Sequence, residues 1–288
     1  MTVLRDNPYA VFGATGQQGG AVVNALLARG AAVRAIVRNT DSMASVALAA
    51  RGVTLTVADQ DDPTSMGEAL RDIAGLFLMT TYDDASGGTE GEVRRGRAVA
   101  EAAADAGTPH VVYSSVGGAE RESGVPHFDS KRRVEERLLE LVPTSFVRPT
   151  FFMENLTRSL GGAEAAVKFP MPSDVPLQMV SVQDIGFVSA AVLLDSGILP
   201  GGALEIAGDE LTGDGIAAII GEALGKPASF ESLPLSVFAN DPDRAAMFRW
   251  FVETSAYQAD LTETKRVDPG VLDLRAWLTN FAAMGEVL

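Results

Sequence analysis

Residues 11–19 read Val-Phe-Gly-Ala-Thr-Gly-Gln-Gln-Gly, with glycines at positions 13, 16 and 19. The stretch follows a short apolar run over 10–12 and opens a helical pattern over 17–29, which is the strand–turn–helix context that this spacing requires. Glycine permits the sharp turn and lets backbone N–H groups approach a phosphate without a Cβ in the way. The loop therefore predicts a pyrophosphate site in a Rossmann domain. The alternative is a tight strand–helix turn without a ligand.

Apolar β-type runs alternate with longer helical patterns from residue 9 to residue 149. The pattern predicts strands over 10–12, 32–37, 53–57, 75–79, 110–114 and 145–148, and helices over 17–29, 41–51, 64–71, 90–106 and 128–141. Continuous apolar strands joined by helices are typical of a parallel sheet covered on both faces, with right-handed crossovers. The sequence therefore predicts an α/β protein with a doubly wound parallel sheet of the NAD(P)-binding Rossmann fold.

The regular alternation ends after Pro149. The segment 168–176 carries three prolines and is predicted to be a loop. Helices over 184–194, 213–224, 243–258 and 271–284 and strands near 204–207 and 229–233 are predicted to follow. We therefore predict a Rossmann domain over 1–150 and a smaller C-terminal α/β lobe over 151–288. We leave open that the helix at 184–194 packs back on the Rossmann domain.

Composition narrows the class of protein. Of 288 residues, 47% are apolar and 21% charged, which is ordinary for a globular protein. The absence of cysteine excludes disulfides and thiolate chemistry, and two histidines, His110 and His127, are too few and too far apart to indicate a metal site. The net charge of −15 disfavours direct nucleic-acid binding. No apolar run reaches about 18 residues and the start does not resemble a secretion signal, so we expect no membrane association and a cytoplasmic protein.

Arg38 and Asn39 follow the predicted second strand, which ends at Val37. Folds that bind NAD place an Asp or Glu about 20 residues after the glycines, on the ribose 2′-hydroxyl. A guanidinium at that place can instead pair with a 2′-phosphate, and a charged hydrogen bond of this kind contributes about 1.5–3 kcal/mol. The alternative for Arg38 is a solvated strand-end charge. Asp41, a competing carboxylate, is interpreted as a helix N-cap. The sequence therefore favours NADP(H) over NAD(H).

Six motifs together indicate a family. They are Gly13–Gly19, Val33–Asn39, Ala58-Asp59-Gln60, Thr80-Thr81-Tyr82, His127-Phe128-Asp129-Ser130-Lys131 and Phe152-Met153-Glu154-Asn155. On these motifs the sequence resembles the NmrA-like family of atypical short-chain dehydrogenases/reductases, and most of all its HSCARG-type branch. The resemblance covers nearly the whole chain. The glycine loop is common to extended dehydrogenases of this class, whereas the last two motifs are more specific.

The resemblance implies a set of cofactor contacts. The glycine loop would hold the pyrophosphate, and Arg38 and Asn39 the 2′-phosphate. Asp59 and Gln60 would border the adenine, although Asp59 can also be a strand-end turn residue. The full implied set is Gly13, Ala14, Thr15, Gly16, Gln17, Gln18, Gly19, Arg38, Asn39, Asp59, Gln60, Thr80, Thr81, Tyr82, Lys131, Phe152, Met153, Glu154 and Asn155. Arg94 stands where relatives carry a lysine, which keeps the charge but changes its geometry.

The residues do not decide whether the protein is an enzyme. Catalytic members of the resembled class carry Tyr-x-x-x-Lys, and here His127 stands at the tyrosine position before Lys131. His127 and Lys131 are therefore the candidate catalytic residues, because a neutral histidine can donate a proton and a nearby ammonium favours the neutral form. The alternative for His127 is a partly exposed residue that enters a helix. Ser114 and Ser115 could polarise a substrate, or bond to backbone.

Two functions from different classes follow. In the first, the protein binds NADP(H) with little or no turnover, and its conformation or choice of protein partner reports the redox state of the cofactor, which requires unequal affinity for the two states. In the second, it is an NADPH-dependent oxidoreductase that reduces a small apolar carbonyl or quinone in a pocket near Phe151, Phe152 and Met153, which are otherwise core. The missing tyrosine favours the redox sensor. A homodimer is left open.

Overall fold

A computed structural model describes residues 7–82, 84–199 and 202–283. Within these ranges no helix is long and apolar enough to cross a membrane. The chain divides into two compact units whose segments alternate along the sequence. The first comprises the chain up to Ser115 together with Ser130–Arg148 and Ile185–Leu204, and the second comprises Val116–Asp129, Pro149–Asp184 and the chain from Glu205 onward. The division of the sequence at residue 150 stays a prediction.

The first unit is built on a seven-stranded sheet. Its strands are β1 (Tyr9–Phe12), β2 (Val33–Val37), β3 (Thr54–Val57), β4 (Gly75–Met79), β5 (Val111–Ser114), β6 (Thr144–Pro149) and β10 (Ala203–Ile206), in the order β10-β6-β5-β4-β1-β2-β3. The strands β1 to β6 pair in parallel. The chain order 3-2-1-4-5-6 changes direction between β1 and β4, which is the switch point at which doubly wound sheets bind ligands. The predicted fold class is confirmed.

Helices connect these strands. They are α1 (Gln17–Ala28), α2 (Met43–Ala50), α3 (Pro63–Ala69), α4 (Gly88–Asp105) and α5 (Pro126–Leu141), followed later in the chain by α6 (Val182–Leu194). Apolar faces of α3, α4 and α5 cover the sheet in one buried cluster with Phe12, Leu78 and Tyr113. Helix α6 lies close to α1, because a Cβ at Gly186 would be 2.5 Å from the carbonyl carbon of Ala21. A glycine at that position permits the two backbones to approach.

The second unit has two small sheets and its own core. The three-stranded sheet has the order β11-β9-β7, and the two-stranded sheet pairs β12 with β8. Their bounds are β7 (Phe151–Phe152), β8 (Ala165–Phe169), β9 (Pro176–Val180), β11 (Asp209–Thr212) and β12 (Ala228–Ser232), and the helices are α7 (Gly213–Leu224), α8 (Pro242–Glu253), α9 (Leu261–Val267) and α10 (Leu274–Ala283). This core contains Phe128, Trp250, Phe251 and Tyr257, whose rings pack edge-to-face, tilted or stacked, arrangements that aromatic rings favour.

Several local predictions differ from the structure. The N-cap of α2 is Ser42, whose hydroxyl accepts the N–H of Ser45, so the interpretation of Asp41 as the cap is wrong by one residue. The predicted helix over 243–258 ends at Glu253, because the chain becomes extended at Thr254. The sequence analysis missed β7, β8, β9 and β11. The ends of β8 and β9 fall in the segment 168–176, whose three prolines predicted a loop, and β7 is only two residues long.

Candidate dinucleotide site

The glycine loop joins β1 to α1 with backbone contacts that exclude side chains. Gly13 has φ +67°, a left-handed conformation that favours glycine. A Cβ on Gly19 would lie 2.2 Å from the carbonyl oxygen of Gly13, so this helical position must be glycine for the turn to close. The N–H of Gly16 donates to the same oxygen at 2.8 Å. The turn therefore presents bare backbone at the start of α1.

A cavity of about 690 Å³ lies in the first unit along the carboxyl ends of β1 to β4. Seven of its lining residues were predicted from the sequence, namely Gly13, Thr15, Arg38, Asp59, Gln60, Thr81 and Tyr82. Nine were not, namely Phe12, Ile36, Val37, Ala58, Asp61, Met79, Ala85, Ser86 and Arg95. The cavity thus begins at the glycine loop and extends across the half of the sheet that carries β2 and β3.

Arg38 is an exposed cation at the edge of this cavity. Its guanidinium makes no hydrogen bond or ion pair with any described residue, whereas Arg34, on the same strand, donates to the carbonyls of Ala69 and Arg71. Asn39 does not line the cavity, and its side-chain oxygen accepts the N–H of Asp41 at 2.8 Å. Arg38 is therefore available for an anionic ligand, and Asn39 shapes the turn beside it.

Three residues after β3 have distinct roles. The Asp59 carboxylate accepts the N–H of Asp61 at 3.0 Å, as a turn residue does, and Asp59 also lines the cavity. The Gln60 amide donates to the carbonyl of Met79 at 3.0 Å. Asp61 pairs with Arg94 at 2.8 Å and with Arg95 at 3.4 Å. The interpretation of Asp59 as a turn residue is therefore confirmed, and the turn places it at the cavity, whereas its contact with adenine stays a prediction.

Arg95, not Arg94, is the cavity cation on α4. The Arg95 side chain is 4% exposed, and it donates to the carbonyls of Thr81 at 2.6 Å and Ser86 at 3.0 Å. Arg94 is largely exposed and does not line the cavity. Arg95 therefore anchors the segment that follows β4. A signal for it existed in the sequence, since Arg95 and Glu92 are the two charged residues in a stripe of α4 positions that is otherwise small or apolar.

Lys131 belongs to a buried polar network in the first unit. Its ammonium lies 2.8 Å from the carboxylate of Glu92, which has no exposed surface, and 3.3 Å from the carbonyl of Thr80. The hydroxyls of Ser130 and Thr80 also donate to this carboxylate, at 2.5 and 2.8 Å. Although burial raises the pKa of Glu92, the Lys131 ammonium and these hydrogen bonds hold it below its ordinary value. The pair is therefore ionised, and the sequence analysis missed Glu92.

Tyr113 closes the same network without serving as an acid near neutral pH. Its hydroxyl lies 2.8 Å from that of Thr80, and the Lys131 ammonium lies 5.8 Å from the centre of its ring. Burial, together with the charge of Glu92, raises its pKa well above the ordinary value of 10. The phenol is therefore a fixed neutral group.

Two serines lie at the carboxyl end of β5, Ser114 as its last residue and Ser115 directly after it. The hydroxyl of Ser114 donates to the side-chain oxygen of Gln18 at 2.6 Å, which links this strand to the glycine loop. The hydroxyl of Ser115 is buried and has no hydrogen-bond partner among the described residues. The alternative that these hydroxyls bond to backbone is therefore wrong for both serines among the described residues. Of the other predicted loop residues, Ala14 is buried and Gly16 and Gln17 are exposed.

His127 lies in the second unit, in the first turn of α5. Its Nδ1 is 2.6 Å from the carboxylate of Asp243, which also accepts the His127 backbone N–H at 2.9 Å. The ring packs edge-to-face on Phe128. A carboxylate at Nδ1 sets the tautomer and orientation of an imidazole, so proton exchange is left to Nε2. The sequence had placed no partner for His127, because Asp243 is more than one hundred residues away.

The segment 152–155 also belongs to the second unit. Phe152 is half-buried, Met153 is fully buried in the core and Asn155 is exposed. Glu154 accepts the N–H of Val182 at 3.0 Å and the indole N–H of Trp277 at 3.1 Å, and burial raises its pKa. Phe151 packs edge-to-face against Phe169 and Phe251, so it is a core residue. The implied cofactor contacts of 152–155 stay predictions.

A sheet of this order with a glycine loop at its switch point defines the Rossmann class of α/β proteins. The chain belongs to the NmrA-like family, whose family model matches residues 6–277. The family predicted from the sequence motifs is thereby confirmed.

Named relatives in this family come from fungi. The NmrA-like family domain-containing oxidoreductase himF of Aspergillus japonicus is 34% identical over 179 residues, which cover 57% of this chain and 52% of that protein. The oxidoreductase hkm9 of Aspergillus hancockii is 29% identical over 251 residues, which cover 77% of this chain and 74% of that protein. The chain therefore spans about half the length of himF in the first match and about three quarters of hkm9 in the second.

Solved structures share the fold at low identity. The triphenylmethane reductase of Citrobacter sp. complexed with NADP(H) has a TM-score of 0.80 and 22% identity, over 95% of this chain and 99% of that one. The NADPH-dependent quinone oxidoreductase QOR2 of Escherichia coli has a TM-score of 0.80 and 23% identity, over 95% of this chain and 99% of that one. NmrA, a negative transcriptional regulator in complex with NADP, has a TM-score of 0.82 and 20% identity, over 98% of this chain and 97% of that one. The fold is thus similar to that of both reductases and a regulator.

Proposed function

We propose that this protein binds NADP(H) in the cavity at the glycine loop and prefers it to NAD(H). The observation that carries the proposal is Arg38, an exposed guanidinium that lines the cavity without a partner among the described residues. The site also fits a dinucleotide because the turn closes only with glycine at positions 13 and 19 and leaves bare backbone at the start of α1, where a pyrophosphate is expected. Structural neighbours crystallised with NADP or NADPH support the same cofactor.

Of the two functional classes, we propose a redox-state regulator of the HSCARG type, with little or no turnover and a protein partner. Support comes from the groups around Lys131. Its charge is balanced by Glu92, and Tyr113 is a buried phenol with a raised pKa, so neither is suited to give a proton near neutral pH. The role as a regulator is a proposal that the family assignment does not itself contain. The cytoplasmic location is a proposal of the same kind, and a homodimer stays open.

A reductase is the second candidate, and the names of the fungal relatives and of two structural neighbours favour it. NADPH, when bound, supplies a hydride. A quinone that accepts hydride gives a stabilised anion, which can take its proton from water, so an enzyme acid is not essential. His127, held by Asp243 at Nδ1, is the candidate donor for a carbonyl that does need one.

Thermal unfolding with each nucleotide tests the proposal directly. A ligand at one hundred times its dissociation constant stabilises the folded state by about 2.7 kcal/mol. NADPH should therefore raise the melting temperature by several degrees, since about 1 kcal/mol corresponds to roughly 2–4 °C at this chain length. NADH at the same concentration should give a smaller shift. Equal shifts with NADPH and NADH would contradict the preference, and no shift with either would contradict binding.

A further inference from the structure

Glu92 carries a negative charge in the interior of the first unit, at a distance from solvent. Three groups satisfy it, namely the Lys131 ammonium and the hydroxyls of Thr80 and Ser130. A buried carboxylate of this kind is stable only while its cation is present, because an unpaired buried charge is strongly destabilising. Glu92 and Lys131 therefore form one electrically neutral group.

This neutral group lies beside the half of the sheet expected to hold the second nucleotide. Thr80 directly follows β4, Tyr113 is on β5, and the neighbouring Thr81 lines the cavity. In a Rossmann sheet the two halves of a dinucleotide lie over β1–β3 and over β4–β6, on either side of the switch point. The half over β1–β3 contains Arg38, so the nicotinamide half falls on the side of Glu92 and Lys131.

Other charges near this place are also paired. Arg95 is paired with Asp61, and Arg148 with Glu135 at 2.6 Å. The field that the nicotinamide meets is therefore sensitive to any change in the Glu92–Lys131 group. The ring of NADP⁺ carries a positive charge that the ring of NADPH lacks, so a neighbouring unbalanced ammonium would repel only the oxidised form.

We propose that Glu92 sets the preference of this protein between NADP⁺ and NADPH by neutralising Lys131. The inference rests on the proposed binding of NADP(H), and it names the residue that regulates the unequal affinity a redox sensor requires. Glu92 does not contact the nucleotide in this proposal; it acts through Lys131, whose charge it neutralises, and is therefore a positioning residue. The ratio of the dissociation constants of NADP⁺ and NADPH measures its effect without any turnover.

The test is titration of NADP⁺ and NADPH into the folded protein by calorimetry. Glu92→Gln keeps the shape of the side chain and leaves Lys131 unbalanced, so the NADP⁺/NADPH ratio of dissociation constants should rise roughly tenfold, the effect of a unit charge at about 10 Å in protein surroundings. The double variant Glu92→Gln/Lys131→Met is neutral again, and its ratio should return to that of the wild type. A merely structural role of Glu92 does not predict this return.

Ser130→Ala is the matched control, because it removes a hydrogen bond from the same carboxylate without changing any charge, and its ratio should stay unchanged. If Glu92→Gln does not fold, Lys131→Met serves instead: it removes the ammonium, so its ratio should not rise above that of the wild type. An unshifted Glu92→Gln ratio, a double variant that fails to return, or a Lys131→Met ratio that rises overturns the inference. A wild-type protein that binds neither nucleotide instead contradicts the proposed function.

Discussion

The ammonium of Lys131 lies 2.8 Å from the carboxylate of Glu92, a side chain with no exposed surface. This contact changes how Lys131 is understood. A lysine that follows a catalytic tyrosine by four residues acts on that tyrosine, but here the position holds His127, whose Nδ1 is occupied by Asp243. Lys131 is instead balanced by a carboxylate on α4. In the described structure Lys131 thus pairs with a carboxylate, and the residue four positions before it pairs with another.

Arg38 should determine the preference for NADP(H). Arg38→Glu places a carboxylate where the 2′-phosphate is expected, so the affinity for NADPH should fall by ten- to more than a hundredfold, the effect of losing a charged hydrogen bond worth about 1.5–3 kcal/mol. The affinity for NADH should change little, and fluorescence titration of both reduced nucleotides measures the two constants. Arg51→Glu makes the same charge change at an exposed arginine that does not line the cavity. A similar loss in Arg51→Glu would show that net charge, not contact, is responsible.

Gly19 should be irreplaceable although its neighbour Gly20 is not. A Cβ at position 19 would lie 2.2 Å from the carbonyl oxygen of Gly13. A Cβ at position 20 would lie 3.5 Å from the carbonyl oxygen of Ala14, which is an ordinary contact. We expect Gly19→Ala to lower the free energy of unfolding by about 1–3 kcal/mol and to abolish nucleotide binding. Gly20→Ala should be neutral or stabilising, since alanine favours a helix by about 1 kcal/mol. Denaturant unfolding and nucleotide titration measure both, and equal effects of the two substitutions would refute the geometry.

Turnover separates the two functional classes. We expect NADPH oxidation with a panel of aldehydes to stay at the background rate, although NADPH binds, because Tyr113 is unsuited to give the proton that a carbonyl needs and the Lys131 charge is balanced. Absorbance at the wavelength of reduced nicotinamide follows the reaction. Oxidation of NADPH by a quinone, if Lys131→Ala abolishes it, would favour the reductase instead. A dependence on His127 and Asp243, tested with His127→Ala and Asp243→Asn, would identify the imidazole as the acid.

Asp184 should make the stability of the protein depend on pH. Burial and the nearby Asp268 raise the pKa of Asp184 to about 7. Its carboxyl lies in the second unit, where it accepts the N–H of Leu272 at 3.1 Å. The unfolded chain releases this proton near pH 4 and the folded protein keeps it up to about pH 7. The free energy of unfolding should therefore fall as the pH rises from about 4 to 7, by roughly 2–4 kcal/mol from this group.

Asp184→Asn removes the titrating group and should flatten that part of the stability profile, measured by urea unfolding at intervals of pH. Asp214→Asn changes an exposed carboxylate in the same unit and should leave the slope as in the wild type. A slope that persists in Asp184→Asn would assign the pH dependence to another group.

The Rossmann part of the fold could be predicted because its signals are local. The glycine spacing 13-16-19, the apolar runs of β1, β2 and β4 and the left-handed glycines after α1, α2 and α4 each concern a few consecutive residues. The second unit was harder, since β8 and β9 border a proline-rich segment that predicts a loop and β7 has only two residues. Phe151 and Met153 illustrate the difficulty, because an apolar pair of this kind is compatible with a pocket and with the core in which both lie.

The sequence by itself determined the fold class, the position of the phosphate loop, the family and the cation at the end of β2, because each depends on residue type and short spacing. Only the tertiary structure decided which charges meet. Lys131 pairs with Glu92 from 39 residues away, Asp61 with Arg95 from 34, and His127 with Asp243 from 116. Such pairs depend on the packing of separate elements, and periodicity within one element cannot specify them. That is why Arg95 and Glu92, rather than Arg94, emerged from the structure as the charged residues of α4 at the site.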